Sequence, residues 1–537
     1  MNDAALKSYV PMQASGEDEW KFIAEIRALG EQDLFNLDPL LAKAEATGHR
    51  GRVALVDISD RLKVSADFEA VAPSALQSLI AKLASKDEAY STDSELHPYV
   101  IDEAEAVTVW APRGFSPDEA IRLWENVGRA KVSDEAEAAT TLKLYGSKLR
   151  LTQLLIGACC FALPDGAPIL DVMAGTGIVS RKLSNQFEVH ANDANRYGAL
   201  LARVQDVRSN EDLNALVTKL RSAADLNFRA LVEKRSAMFE RELDFLHGEL
   251  SETRRGAYAE FCATTVLPSA TQPKPTEPYS LCLSRYGNVY FGLAQAAQLD
   301  SLRAAIDRVL LEDGPLRDLA LAAVITAAST CNSGPHFAQP RNLSSLRGYK
   351  QVVERRARNV VWEFELALRN LAIRPPLANR IVNVTELDWQ EAVVQFADRI
   401  AGRRPAGVYF DPPYSKLQYS RYYHVLNVLL SYDYPEVSGV GRYPPLSQRF
   451  SSRFEYRPTS ARKEFERAFE LCRSLGLTVL VSYSDRGFVP INVLEQLMRN
   501  NYTHTTIFSE TIRHHSQGVR LASEKATVTE YVLVGRP

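Results

Sequence analysis

The chain has 537 residues, of which 46% are hydrophobic and 24% charged, for a net charge of −3. That length exceeds one compact core and predicts two to four domains of ordinary globular composition. No stretch reaches the roughly 18–20 apolar residues that span a bilayer, and the polar first 19 residues hold no signal-peptide core, so no membrane partner is expected.

The small net charge conceals an asymmetry. Residues 1–140 hold 14 Lys and Arg against 26 Asp and Glu, a balance of −12, which leaves +9 for residues 141–537. A basic body behind an acidic segment suits a protein that binds a polyanion with one part only, although acidic surfaces also serve solubility. The six cysteines, at 159, 160, 262, 282, 331 and 472, form no CxxC pair and no zinc spacing. They read as reduced core thiols of an intracellular protein.

Residues 1–135 read as a separate small α/β domain. Residues 20–29 have helical spacing, residues 53–57 and 107–110 read as strands, and residues 73–84 read as a helix. Ser116-Pro117-Asp118-Glu119 opens another helix, with a capping residue and Pro at the first turn. No chemical motif is evident there. A helix over residues 141–161 leads into Pro168-Ile-Leu-Asp-Val-Met-Ala-Gly-Thr-Gly177, an apolar strand ending in a Gly-rich turn before a helix start. Residues 188–193 make the next strand at βαβ distance. Residues 210–260 and 297–328 are helical, with a Pro-rich linker over 271–278; the Ala-rich 319–328 reads as a buried helix. Residues 408–410, 477–483 and 530–534 are strands that alternate with helices. The pattern predicts a doubly wound, Rossmann-like α/β domain interrupted by a mostly helical insert.

Two motifs carry chemistry. Ligands of open α/β sheets lie outside the carboxyl ends of the strands. Gly175 and Gly177 there would let a cofactor approach the backbone, and Asp193 would accept from ribose hydroxyls; a Gly-rich turn can equally be only a tight turn. Asp411-Pro412-Pro413-Tyr414 is more specific. An exocyclic amine is a poor nucleophile because its lone pair is delocalised. The Asp411 carboxylate and the Pro412 carbonyl can accept its two N–H bonds and localise that pair. Tyr414 offers a face on which a flipped base stacks, and two prolines stiffen the turn. An ordinary turn with a packed Tyr is the plainer alternative.

The order Tyr145-Gly-Ser-Lys148, Asp171 to Gly177, Asn192-Asp193 and then Asp-Pro-Pro-Tyr resembles the D12 class of adenine-specific DNA methyltransferases. Arg285-Tyr-Gly-Asn-Val-Tyr-Phe291, Cys331-Asn-Ser-Gly-Pro-His-Phe337, Gln418-Tyr-Ser-Arg-Tyr-Tyr423 and Val481-Ser-Tyr-Ser-Asp-Arg-Gly487 are similar to that family's other segments. The similarity covers roughly residues 141–537. It implies a catalytic domain of residues 141–205 and 380–537, with a target-recognition region over 206–379. It implies S-adenosyl-L-methionine (SAM) as cofactor, contacted by Tyr145, Lys148, Asp171, Met173, Ala174, Gly175, Gly177, Asp193 and Asp388. Where the family usually has Phe this chain has Met173, flexible and apolar enough to cover a cofactor.

Residues 335–380 hold nine Arg or Lys against three Glu. Arg341, Arg347, Lys350, Arg355, Arg356 and Arg358 fall within eighteen of them and are expected to meet DNA phosphates rather than form only a solvated face. His424, His514 and His515 read as surface or phosphate-contacting residues, with no metal site. The expected activity is methyl transfer to N6 of a flipped adenine in double-stranded DNA, in a prokaryotic, nucleoid-associated cytoplasmic enzyme of restriction-modification or phage defence. The alternatives left open are N4 of cytosine, an RNA adenine or a glutamine amide as acceptor, and a catalytically silent DNA-binding subunit. The acidic domain is expected to meet a protein partner.

Overall fold

The computed structural model describes residues 152–207, 212–269, 278–373, 377, 381–413, 419–513 and 527–537, and five strands within the first 151 residues. The chain divides into two compact units, with the boundary at Ala138 and Ala139. The first unit carries strands β1 (Ile23–Glu25), β2 (Gly51–Val56), β3 (Leu62–Phe68), β4 (Leu96–Asp102) and β5 (Val107–Pro112) in one sheet of order β1-β3-β2-β5-β4. Only β2 and β5 run parallel. The helical spacing of residues 20–29 is overridden at Ile23–Glu25, which pairs with β3 from Ser65 to Asp67. The helices expected over 73–84 and from Ser116, like the first part of the one expected over 141–161, lie outside the described residues.

The second unit is a seven-stranded sheet, its elements met in the order α1 (Thr152–Ala162), β6 (Pro168–Asp171), α2 (Ile178–Leu183), β7 (Glu188–Asn192), α3 (Arg196–Arg203), then the helical insert, and then β8 (Ile381–Thr385), α12 (Trp389–Arg399), β9 (Gly407–Phe410), α13 (Tyr419–Ser431), α14 (Pro458–Ser474), β10 (Thr478–Ser484), α15 (Ile491–Asn501), β11 (His504–Arg513) and β12 (Thr527–Arg536). The strand order is β11-β12-β10-β9-β6-β7-β8. From β10 to β8 every pair is parallel, whereas β12 runs antiparallel to both β10 and β11. The chain moves outward from β6 through β7 to β8, then crosses to β9 on the other side. The switch point of the sheet therefore lies between β6 and β9.

Alternation along the strands shows why they are buried on both faces. Ile169, Tyr409, Leu480, Val532 and Val534 pack with Leu155, Ala158 and Cys159 of α1 and with Val179 and Leu183 of α2. Their neighbours Leu170, Val408, Phe410, Val479, Val481 and Leu533 face the opposite layer, with Val393 of α12, Phe465 of α14 and Leu494 of α15.

The insert is formed by α4 (Leu213–Glu233), α5 (Ser236–His247), α6 (Glu252–Thr264), α7 (Leu281–Tyr286), α8 (Leu293–Val309), α9 (Pro315–Cys331), α10 (Leu346–Arg356) and α11 (Val360–Ala372). The single helical run expected over 297–328 is two helices, the second opened by Pro315 at its first turn. Residues 319–328 are almost wholly buried there. The insert's core continues into α3 and α13, through Tyr197, Leu200, Leu201, Leu426 and Leu429. All six cysteines are free thiols; Cys160 is exposed and Cys262 half-buried, so the core-thiol reading holds for the other four alone. Among the described residues no helix is long and apolar enough to cross a membrane.

Candidate active site

The two chemical motifs lie 240 residues apart in the chain and side by side in the sheet. Asp171 at the end of β6 is in register with Tyr409 of β9, and the Val172 N–H donates to the Tyr409 carbonyl at 3.1 Å. The loop after β6 and the turn after β9 thus leave the switch point together. Asp411 and Pro413 are half-buried and Pro412 is buried; Tyr414, like Tyr145 and Lys148, lies outside the described residues.

The loop after β6 is held by backbone geometry more than by contacts of its own side chains. Gly175 and Gly177 adopt φ of 55° and 74°, the left-handed region that glycine tolerates at little cost. A Cβ on Gly177 would stand 2.7 Å from the Ala202 Cα, so this glycine also allows the loop to close on α3. The Asp193 carboxylate accepts from the Gly175 N–H at 2.8 Å and from the Asn195 N–H at 2.7 Å. It therefore fixes the glycine loop to the start of α3, in addition to any ligand it meets. Ala174 is buried and Met173 half-buried against the core beneath the loop. Asp388 is exposed at the N-cap of α12, where it accepts from the Gln390 N–H at 3.0 Å; β8, which precedes it, is the outer neighbour of β7.

Asn192, quoted in the motif order but given no role there, clamps two of these loops. Its amide donates to the carbonyls of Val172 and Leu387, both at 3.0 Å, and accepts from the Thr385 hydroxyl and the Leu387 N–H. An Asn at a strand end offers two donors and two acceptor sites, which is the one sequence signal that could have marked it. Asn427 of α13 serves the other side, accepting from the Tyr197 N–H at 3.1 Å and so docking the helix that follows the Asp411 turn on α3.

Electrostatically the edge is acidic. Burial pushes the Asp171 carboxyl up to about 7, against the Ser180 hydroxyl that donates to it at 2.6 Å, and the charges of Asp411 and Asp193 raise it further. Its second oxygen is buried without a hydrogen-bond partner. Burial likewise raises Asp193, opposed by its bonds from Asn195 and Gly175. Asp171, Asp193 and Asp411 thus make this loop edge negative, which suits a cationic ligand.

The basic run does not act as one surface. Arg347 and Arg358 are exposed, and Arg358 pairs with Glu363 at 3.7 Å. Arg341 donates to the Ser333 carbonyl at 2.9 Å and Arg355 to the Thr330 carbonyl at 3.2 Å, which organises the loop after α9. Lys350 is half-buried. Arg356 corrects the expectation of phosphate contact: it is 4% exposed, donating to the Tyr258 hydroxyl at 2.8 Å and countering the buried Glu242. Helical periodicity turns this residue inward from α10, which a charge count cannot show. Of the two readings of His424, the surface one is corrected, since the residue is buried; His514 and His515 lie outside the described residues. Among the described residues no cluster of three His, Cys, Asp or Glu could hold a metal ion.

Comparison with known proteins agrees with the motif reading. Residues 377–473 match the family model described as D12 class N6 adenine-specific DNA methyltransferase, a segment that runs from before β8 through the Asp411 turn into α14. The type II methyltransferase M.FokI of Planomicrobium okeanokoites is 24% identical over 364 residues, 67% of this chain and 47% of that protein. The modification methylase LlaI of Lactococcus lactis subsp. lactis is 35% identical over 119 residues, 22% of this chain and 18% of that protein. The chain thus spans less than half the length of these curated relatives. No solved structure matches.

Proposed function

We propose that this chain, which carries a D12 class N6 adenine-specific DNA methyltransferase match over residues 377–473, transfers a methyl group from SAM to N6 of an adenine flipped out of double-stranded DNA. The observation that carries the reading is the juxtaposition at the switch point, where the Asp411-Pro-Pro turn leaves β9 beside the glycine loop that leaves β6. SAM supplies an electrophilic methyl on a sulfonium. The chain's own groups do the rest. Asp171 and the Gly175 loop hold the cofactor's cationic end and Asp193 accepts from its ribose hydroxyls, with Met173, Ala174 and Gly177 shaping the loop. Asp388, Tyr145 and Lys148 complete the cofactor site. The Asp411 carboxylate and the Pro412 carbonyl accept the two N–H bonds of the target amine, and Tyr414 stacks on the flipped base.

In this reading residues 141–205 and 380–537 form the catalytic domain and residues 206–379 recognise the target. Of the basic run, Arg347, Lys350 and Arg358 are the residues assigned to phosphates. The acidic residues 1–135 are assigned to a protein partner, since their charge repels DNA. The names of the relatives, a type II methyltransferase and a modification methylase, favour a modification role in the bacterial cytoplasm.

The test is transfer of labelled methyl from SAM to bacterial DNA, with base-resolution sequencing of the product. N6-methyladenine in one short motif is expected, abolished by Asp411→Ala. Activity retained by that variant would defeat the mechanism, and N4-methylcytosine in the product would change the acceptor.

A further inference from the structure

A polar recess lies beside α13, lined among others by Ser420, His424, Asn427 and Asp433 on one side and Gln448 and Arg449 on the other. It contains buried hydrogen-bonding groups with nothing to bond. Neither ring nitrogen of His424 has a partner, nor do Nε and Nη1 of Arg449; outside the lining, the hydroxyl of Tyr286, whose ring lies 6.0 Å from the His424 ring, is unpaired as well. Such groups are rare in folded proteins and mark a place where something else supplies the bonds.

The charges narrow what that occupant is. Two guanidinium groups, Arg421 and Arg449, lie over the ring of Tyr443 at 4.9 and 5.3 Å from its centroid. The Tyr443 ring meets His424 edge-on at 5.0 Å, and Tyr290 closes another side at 6.0 Å. Burial, then Arg449 and Arg421, pushes the imidazole down to about 3. Arg449 itself is lowered by burial and by Arg421. Asp433 is the one acid lining the recess, and its side is exposed. A guanidinium offers donors and no acceptor, so the bonds missing here call for an occupant rich in acceptors and negatively charged. The Arg449 guanidinium, the His424 imidazole and the Ser420 hydroxyl line one cavity, and with Arg421 adding positive charge from the Tyr443 ring they fit the oxygens of a phosphate.

We propose that this recess is a phosphate site whose natural occupant is a backbone phosphodiester of the bound DNA. Its source in DNA rests on the function proposed above, whereas the phosphate chemistry does not. Position supports that source, because Ser420 and His424 stand on the first two turns of the helix that the Asp411 turn leads into. A phosphate gripped there would fix the strand that carries the flipped base.

The test uses the full chain with 13C-labelled histidine, the His424 signal being assigned through His424→Gln. Inorganic phosphate should shift that signal and raise the pH at which it titrates. Arg449→Gln should remove the response, while Arg449→Lys, which keeps the charge and the fold, should retain part of it. In parallel, duplex affinity is measured against salt concentration. Arg449→Gln should bind roughly tenfold more weakly, with a log–log salt slope smaller by about one. No phosphate shift, with an unchanged slope in Arg449→Gln, overturns the site even if methyl transfer is found. A phosphate shift in a chain that binds no duplex keeps the phosphate site and overturns its assignment to DNA.

Discussion

Asp171 is poised near neutral pH because burial pushes its carboxyl up to about 7, and the neighbouring charges of Asp411 and Asp193 act in the same direction. A cationic cofactor placed beside it favours the ionised form, so the carboxyl's pKa falls on binding and a proton is released. The sign follows: affinity is independent of pH above about 7 and weakens below it, by at most about tenfold per pH unit. Calorimetric titration of SAM at pH 6, 7 and 8, in buffers of different ionisation heat, reads both the affinity and the proton. An affinity flat across that range with no proton released would remove Asp171 from the cofactor site, while Asp171→Asn should show the flat profile by construction. The carboxyls of this site were legible in the sequence because each stands at the carboxyl end of a strand. Their mutual distances were not legible, since Asp171 and Asp411 meet only through the sheet register.

Arg356 shows at the scale of an element what the order of charges along a chain cannot. From α10 it reaches Tyr258 of α6, whose ring its guanidinium also covers at 5.6 Å, and it opposes Glu242 of α5. Glu242 in turn accepts from the Leu293 and Ala294 N–H groups at 2.7 and 3.0 Å, capping α8. Four helices thus meet around two buried, opposite charges that lie near each other without a direct hydrogen bond. Arg356→Met removes the bond to the Tyr258 hydroxyl and the positive charge opposing Glu242, so it should cost about 1–3 kcal/mol of stability in denaturant titration. Arg347→Gln, at an exposed position of the same helix, should cost nearly nothing and weaken DNA binding instead. A stable Arg356→Met with weakened DNA affinity would restore the phosphate reading for this residue. The strands of the parallel sheet were readable because residues 168–171, 407–410 and 478–484 are short apolar runs bounded by turn residues. Ile381–Thr385 escaped because its burial is mixed and an Asn and a Thr interrupt the run; pairing with β7 makes it a strand. The break between α8 and α9 escaped because apolar periodicity continues across Leu310 and Leu311, and only Gly314-Pro315 marks it.

Across the whole molecule, the insert divides the chain in sequence without dividing its core. Tyr197, Leu200 and Leu201 of α3 and Tyr423, Leu426 and Leu429 of α13 belong to the same buried cluster as the insert's helices. Those two helices are also the ones that follow the glycine loop's Asp193 and the Asp411 turn, and Asn427 ties them together. Sequence patterning identified an insert but could not show this, because an apolar face does not say which neighbour covers it. A shared core predicts shared unfolding. Trp362 lies on α11 in the insert, whereas Trp389 is buried beside Phe410 and donates to Glu464 at 3.0 Å in the layer against the sheet. With Trp20, Trp110 and Trp124 replaced by Phe, two single-tryptophan variants report the two halves separately. Their fluorescence should give coincident denaturant midpoints and equal slopes. Midpoints separated by more than about 1 M urea would show that the insert melts on its own. The insert would then be a module hung on the seven-stranded sheet, and α3 and α13 would transmit nothing between the insert and the Asp411 turn.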